Sequence, residues 1–128
     1  MDIADLKPVS DTLTIEFKDP RDKTKPFMND DNTPMTWEVY APHSKEYKKA
    51  IYKQADKRIK DKTVDMSAED YEESHMNFLV DISKSWDITF GGTKPKFSKK
   101  LAKEVLEVFW VKDQVEEGIN SYEVFPKG

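Results

Sequence analysis

The amino-acid sequence predicts an α+β fold, in which an N-terminal β-hairpin is followed by a bundle of three to four α-helices. Residues 12–18 and 35–39 alternate apolar and polar side chains, which is the period of a half-buried strand. From Ser44 onward, apolar residues recur at steps of three and four, which is the period of a helix. Because 128 residues suit one core, we expect a single domain over residues 12–128 after a flexible arm at residues 1–11.

The two predicted strands each place three apolar residues on one face: Leu13, Ile15 and Phe17, then Met35, Trp37 and Val39. Polar turn segments at residues 19–26 and 29–34 separate them, so we expect the strands to pair as a hairpin with a long connection. The acidic cluster Asp30-Asp31-Asn32 lacks the mid-loop glycine and the closing glutamate of an EF-hand. It therefore favours a solvated turn over a calcium site.

The first predicted helix covers about residues 45–60, with Ser44 as its N-cap and Glu46 near the positive end of the helix dipole. Residues 45–62 are strongly basic and carry Lys45, Lys48, Lys49, Lys53, Lys57, Arg58, Lys60 and Lys62. These side chains either keep an amphipathic helix soluble or contact an acidic partner or nucleic acid, and the sequence leaves both interpretations open.

A second, longer helix is predicted after Ser67, which suits an N-cap that forms a capping box with Asp70. Its apolar stripe extends over about four turns and consists of Tyr71, His75, Phe78, Leu79, Ile82 and Trp86. We expect this helix to be central in the core.

The C-terminal third is less regular. Residues 86–90 fit either a short strand or an irregular helix exit, and Gly91-Gly92 ends either one because glycine allows positive φ. A third helix is predicted after the cap Ser98, on a stripe of Leu101, Ala102, Val105, Leu106 and Phe109. A short fourth helix would carry Val115, Ile119 and Tyr122. Gly118 destabilises that helix by about 1 kcal/mol relative to alanine, so we expect this segment to be marginal until it packs against something.

No catalytic, cofactor-binding or metal-ligating constellation is evident in the sequence. The chain has no cysteine and two histidines, His43 and His75, and it lacks both a G-x-S-x-G elbow and a phosphate-binding glycine loop. A lone histidine on an apolar stripe is more often a hydrogen-bonded core or boundary residue than a ligand or a base. A small hydrolase built on His75 with nearby carboxylates stays open as an alternative, and it would require a concave pocket around that histidine.

Charge and hydropathy limit the kinds of partner that the protein is expected to bind. The 25 acidic and 21 basic residues are interleaved and give a net charge of -4, whereas a nucleic-acid binder is more often basic overall. The sequence contains no apolar run of about 18 residues and no N-terminal apolar segment, so we expect no contact with a membrane. We expect the protein to remain in the cytoplasm of the cell that produces it.

Several short motifs follow one another along the chain: Ser44-Lys45-Glu46-Tyr47, Ser85-Trp86-Asp87, Gly91-Gly92, Leu101 to Leu106, Trp110-Val111, Gln114-Val115, Ile119 and Phe125. This order resembles the tail assembly chaperones of long, non-contractile-tailed bacteriophages. In that family a helix opens with Ser-x-Glu-Tyr, a later helix ends in Ser-Trp-Asp, and a glycine turn, a helix and a Pro-Trp-Leu-like step follow. One difference is Phe109, which stands where a proline is common.

The resemblance implies a non-enzymatic factor that acts in the host cell cytoplasm and is absent from the mature virion. Such a chaperone binds and solubilises the tape measure protein, promotes assembly of the tail tube protein around it, and associates with itself into a ring or a spiral. On this hypothesis the candidate partner anchors are Trp110, Val111, Tyr122 and Phe125, with ordinary core packing as the competing interpretation. The alternative is a small phage or bacterial nucleic-acid-associated regulator that uses the basic helix 45–62.

Overall fold

A computed structural model describes most of the chain, namely residues 1–8, 10–60 and 67–122. Its architecture is mixed α+β, with antiparallel strands in the first forty residues and α-helices in most of the remainder. The predicted fold class is therefore confirmed. Within the predicted arm, Ile3–Leu6 form a short 3-10 helix with exposed side chains, and a capping box between Asp2 and Asp5 closes its N-terminus.

The described residues form five strands: β1 (Thr12–Glu16), β2 (Lys18–Asp19), β3 (Asp22–Pro26), β4 (Thr36–Tyr40) and β5 (Ser83–Asp87). β1 pairs antiparallel with β4, so the two strands predicted from the sequence do pair. β4 also pairs antiparallel with β5, which gives a three-stranded sheet in the order β1-β4-β5. β2 and β3 form a separate two-stranded ribbon. The main sheet thus takes one strand from the middle of the chain.

The prediction of a plain turn over residues 19–26 is wrong, because this segment contains most of the β2–β3 ribbon. All five residues of β3 are exposed, so the strand shows no apolar alternation in its sequence. The turn between the two strands is held by the Asp19 carboxylate, which accepts hydrogen bonds from the Arg21 backbone N–H (2.9 Å) and guanidinium (2.9 and 3.0 Å). Local backbone pairing, not burial, therefore defines the ribbon.

The described residues form four α-helices: α1 (Lys45–Lys60), α2 (Ala68–Ile82), α3 (Lys99–Leu106) and α4 (Phe109–Asn120). Each predicted serine cap accepts a backbone hydrogen bond from the residue three positions later, at 3.1 Å for Ser44, Ser67 and Ser98. The capping box of α2 is complete, since the carboxylate of Asp70 accepts in return from the Ser67 N–H at 3.2 Å. The starts of the first three helices follow from these local signals.

The second helix is shorter than its apolar stripe predicts. α2 ends at Ile82, and Ser83 adopts an extended backbone, so Trp86 lies in β5 and not on the helix. Trp86 instead packs edge-on against Trp37 of β4, with ring centroids 5.0 Å apart, and its indole N–H donates to the Pro95 carbonyl at 2.8 Å. These contacts between distant parts of the chain favour the strand over a continued helix.

The boundary between α3 and α4 also differs from the prediction. Phe109, placed on the stripe of the third helix, is the first residue of α4 and is 75% exposed. Trp110 and Val111 therefore lie in the first turn of α4. The core joins the inner face of the sheet to the helices and includes Leu13, Ile15, Phe17, Trp37, Val39, Leu79, Ile82, Ala102, Leu106 and Val115.

Candidate partner-binding groove

An open groove of about 530 Å³ lies between α1 and α2. α1 contributes Tyr47, Ile51, Gln54 and Ala55, and α2 contributes Tyr71, Ser74, His75 and Phe78. The two helices present these residues to the same groove because the spacings on each helix are three and four residues, which place side chains on one face. The groove is thus a product of two helical stripes that face each other without closing.

Aromatic packing and one polar contact hold the two walls of the groove together. The rings of Tyr47 and Phe78 meet edge-on with centroids 5.1 Å apart. The Ser74 hydroxyl donates to Gln54 Oε1 at 3.1 Å, which satisfies a buried amide oxygen between the helices. Burial raises the pKa of the Tyr47 hydroxyl above its ordinary value of 10.0, because desolvation disfavours the phenolate.

Several large apolar side chains of α1 and α2 remain exposed to solvent. Ile51 is 45% exposed and Tyr71 is 55% exposed, both within the groove. Tyr52 and Ile59 of α1 are also exposed, by 63% and 75%, but they do not line the groove. Exposed apolar residues that share one groove, as Ile51 and Tyr71 do, mark a site of interaction more often than scattered exposed residues do. The α1–α2 face is therefore the strongest candidate surface for a partner.

His75 lies at the edge of the groove and links α2 to α4. Its Nε2 atom is 2.7 Å from Glu116 Oε1, and the ring stacks on Phe78 at 6.3 Å between centroids. Lys112 Nζ lies 3.9 Å from the same carboxylate oxygen. The histidine side chain is 47% exposed, so solvent reaches this pair.

The hydrolase alternative required a concave pocket around His75, and the groove meets that requirement. A nucleophile is the next requirement, and the adjacent hydroxyl, Ser74, is directed to Gln54. Neighbouring residues on a helix do not face each other, so Ser74 and His75 are poorly placed to act as a nucleophile–base pair. The groove accordingly fits binding better than it fits acyl transfer.

Two of the predicted anchors, Trp110 and Val111, pack into the interior. The Trp110 ring meets Phe27 and Phe17 edge-on, with centroids 5.1 and 6.1 Å apart, and is half-buried. Val111 is only 6% exposed. Both line a small apolar cavity of about 90 Å³ together with Met35 and other core residues. In this arrangement they stabilise the fold and offer little surface to a partner.

The other two predicted anchors lie near the C-terminus. Tyr122 is half-buried and packs against the core, and its hydroxyl is 3.5 Å from the Ser10 carbonyl oxygen. Phe125 lies outside the described residues. The structure thus brings Trp110 and Val111 together and keeps Tyr122 apart from them, at the opposite end of α4.

The predicted anchors Trp110, Val111 and Tyr122 are not among the large apolar residues that are most exposed on the helices. Tyr71 was predicted on the apolar stripe of the second helix, and Phe109 was predicted on that of the third helix. A usable signal was present for α1, where lysines on several sides of the helix leave room for only a narrow buried face. Among the α1 side chains that the structure describes, Ala50 and Gln54 are buried, whereas Ile51, Tyr52 and Ile59 are exposed.

No protein-family model matches this chain, and neither a curated protein nor a solved structure shows significant similarity to it. Within residues 1–8, 10–60 and 67–122, no three histidine, aspartate or glutamate side chains gather in a way that could hold a metal ion. In the same part of the chain, no helix combines the length and the apolar character needed to cross a bilayer.

Proposed function

We propose that this protein is a phage tail assembly chaperone whose α1–α2 groove binds helical segments of the tape measure protein. The observation that carries the proposal is the open groove with its exposed apolar walls. The resemblance of the short motifs to the chaperone family supplies the identity of the partner. Tail tube assembly and self-association into a ring or a spiral belong to the same proposal.

The groove suits a helix that presents an apolar stripe. In helix-in-groove recognition, residues at i, i+3, i+4 and i+7 of the incoming helix insert between two walls of apolar side chains. Ile51 on α1 and Tyr71 on α2 provide such walls, and both are accessible in the chain alone. A long helical protein that exposes apolar stripes before assembly would aggregate unless such a surface covers them.

The groove also suits transient binding. Its floor is already packed, through the Tyr47–Phe78 contact and the Ser74–Gln54 hydrogen bond, so a partner does not need to reorganise the fold. A pre-formed, shallow apolar surface gives useful affinity without the large buried area of a permanent complex. A factor that leaves the finished particle needs this kind of contact.

The test is co-expression with the long, helical protein encoded just downstream, followed by size-exclusion chromatography of the soluble fraction. We expect the partner to be soluble and to elute with this chain as a large assembly. Ile51→Asp places a charge in the groove and should abolish co-elution, because burying an unpaired carboxylate opposes docking. Since Ile51 is 45% exposed, the circular dichroism spectrum and the thermal midpoint of the Ile51→Asp variant should stay close to those of the wild type.

Tyr52→Asp is the matched control. Tyr52 is the next residue on α1, is 63% exposed and does not line the groove, so this variant adds the same charge on the same helix. It should retain co-elution. Equal partner solubility with and without this chain would overturn the chaperone proposal. Normal co-elution of the Ile51→Asp variant would instead move the contact away from the groove.

A further inference from the structure

A second cavity, of about 420 Å³, lies where α1, β5 and the start of α3 meet beside the end of α2. Lysines from three separate elements line it: Lys49 and Lys53 from α1, Lys84 from β5 and Lys99 from α3. The lining contains two carboxylates, Glu46 and Asp81. The cavity therefore holds an excess of two positive charges in a chain whose net charge is -4.

Asp81 is shared between two of the lysines and meets neither closely. Its side chain is 13% exposed, with Lys53 Nζ 3.3 Å from Oδ2 and Lys99 Nζ 3.4 Å from Oδ1. Oδ2 is buried and has no hydrogen-bond partner among the described residues. An ammonium group has three N–H donors, and each of these two contacts one carboxylate oxygen, so both retain donors for another anion.

The remaining two lysines have even fewer internal partners. In the part of the chain that the structure describes, no carboxylate lies within ion-pair distance of Lys49 or Lys84. The Lys84 ammonium lies 5.9 Å from the centroid of the Tyr40 ring, a weak attraction compared with a full ion pair. Like charges that converge on one concave surface raise the local potential, and a bound anion lowers it.

We propose that this cavity binds a small phosphate-bearing anion with at least two negative charges. Lysine ammonium groups are point charges with three donors each, which suits the oxygens of a phosphate group. The cavity volume lies within the range of small-molecule sites, which is about 300–1,000 Å³. The lysines converge from three elements on one concave spot, whereas a nucleic-acid backbone is typically followed by a row of cations along one surface.

The test is isothermal titration calorimetry of the purified protein with inorganic pyrophosphate and with orthophosphate at low ionic strength. We expect saturable binding at one site per chain, tighter for pyrophosphate, that weakens as salt is added. Lys49→Ala and Lys84→Ala should each weaken binding by about three- to tenfold. Lys48→Ala is the matched control, because Lys48 is exposed on the same helix, does not line the cavity and should leave binding unchanged.

Asp81→Asn should change the affinity for pyrophosphate in the opposite direction to the lysine variants. It removes the internal anion that competes for Lys53 and Lys99, so pyrophosphate should bind about three- to tenfold more tightly. Because Asp81 also links α1 to α3, the fold of this variant is checked by circular dichroism. If it fails to fold, the lysine variants carry the test alone.

Absence of saturable binding to the wild type would overturn the proposal. An equal loss of affinity for Lys48→Ala and Lys49→Ala would also overturn it, because anion binding would then depend on the total positive charge of α1 and not on the cavity. If duplex DNA binds and both Lys48→Ala and Lys49→Ala weaken that binding equally, the nucleic-acid-associated regulator is favoured instead.

Discussion

Gly118 offers a sharp test of how α4 packs on the sheet. A Cβ atom added at Gly118 would lie 2.6 Å from Ile15 Cγ1, 3.0 Å from Cδ1 and 3.2 Å from Cγ2. Ile15 is only 6% exposed, so packed neighbours enclose most of its side chain, although it also lines an open cavity of about 410 Å³ together with Gly118. The glycine that the sequence marks as a weak point in a helix is therefore the residue that lets α4 approach β1.

Two opposing contributions determine how much Gly118→Ala changes the free energy of unfolding. Alanine in a helix interior is favoured over glycine by about 1 kcal/mol, whereas overpacking a filled core costs about 1–3 kcal/mol. The nearest atom, Cγ1, is bonded directly to the Cβ of a branched residue, so it cannot rotate away cheaply. We expect Gly118→Ala to lower the free energy of unfolding by up to about 2 kcal/mol.

Urea unfolding followed by circular dichroism measures this change, and Ile15→Ala provides the control. Ile15→Ala alone should cost about 2–5 kcal/mol because it leaves a cavity. In that background Gly118→Ala should be neutral or should stabilise by up to about 1 kcal/mol, which is a change of sign within a double-mutant cycle. Stabilisation of the wild type by Gly118→Ala would refute the close approach.

Three further outcomes are expected. Ser83→Ala removes the hydroxyl that accepts the Trp37 indole N–H at 2.9 Å inside the core, and urea unfolding should show a loss of about 1–3 kcal/mol. Lys94→Met should raise the pKa of Asp31 from about 2 toward 3.8 in a carboxyl-carbon NMR titration, because Lys94 is the largest cause of that lowering. The stability from this pairing is present above pH 3.8 and should be lost as the pH falls toward 2, so the wild type and the Lys94→Met variant should converge there. Phe109→Ser should change the free energy of unfolding by less than about 0.5 kcal/mol, since that side chain is 75% exposed.

Local signals in the sequence predicted the elements that depend on local interactions. Ser44, Ser67 and Ser98 cap helices because each hydroxyl meets a backbone N–H three residues away, a contact that needs no tertiary structure. The pairing of β1 with β4 also followed from the sequence, since both strands alternate apolar and polar residues and bury the same face.

Elements that depend on distant contacts were not predictable in this way. Trp86 continues the apolar spacing of α2, yet it pairs with Trp37, which lies far away in the sequence and which the helical period cannot reveal. The candidate anchor Trp110 is likewise half-buried because it packs against Phe17, which lies between β1 and β2, and Phe27, which directly follows β3. A large aromatic residue packs where tertiary contacts bury most of its surface, and those contacts depend on the fold as a whole.

α1 forms one wall of both proposed sites, and this geometry gives the two proposals separate tests. Ile51 faces the groove and Lys49 faces the lysine-lined cavity, so the two residues point to different sides of one helix. If α1 stays fixed and the two sites act independently, Ile51→Asp should leave pyrophosphate binding unchanged. Lys49→Ala should likewise leave co-elution of the long helical partner unchanged. Loss of both functions in either variant, with the fold intact, would mean that α1 shifts as a unit on α2. The Ser74–Gln54 hydrogen bond is the contact that such a shift would break, because it joins the two helices at the floor of the groove.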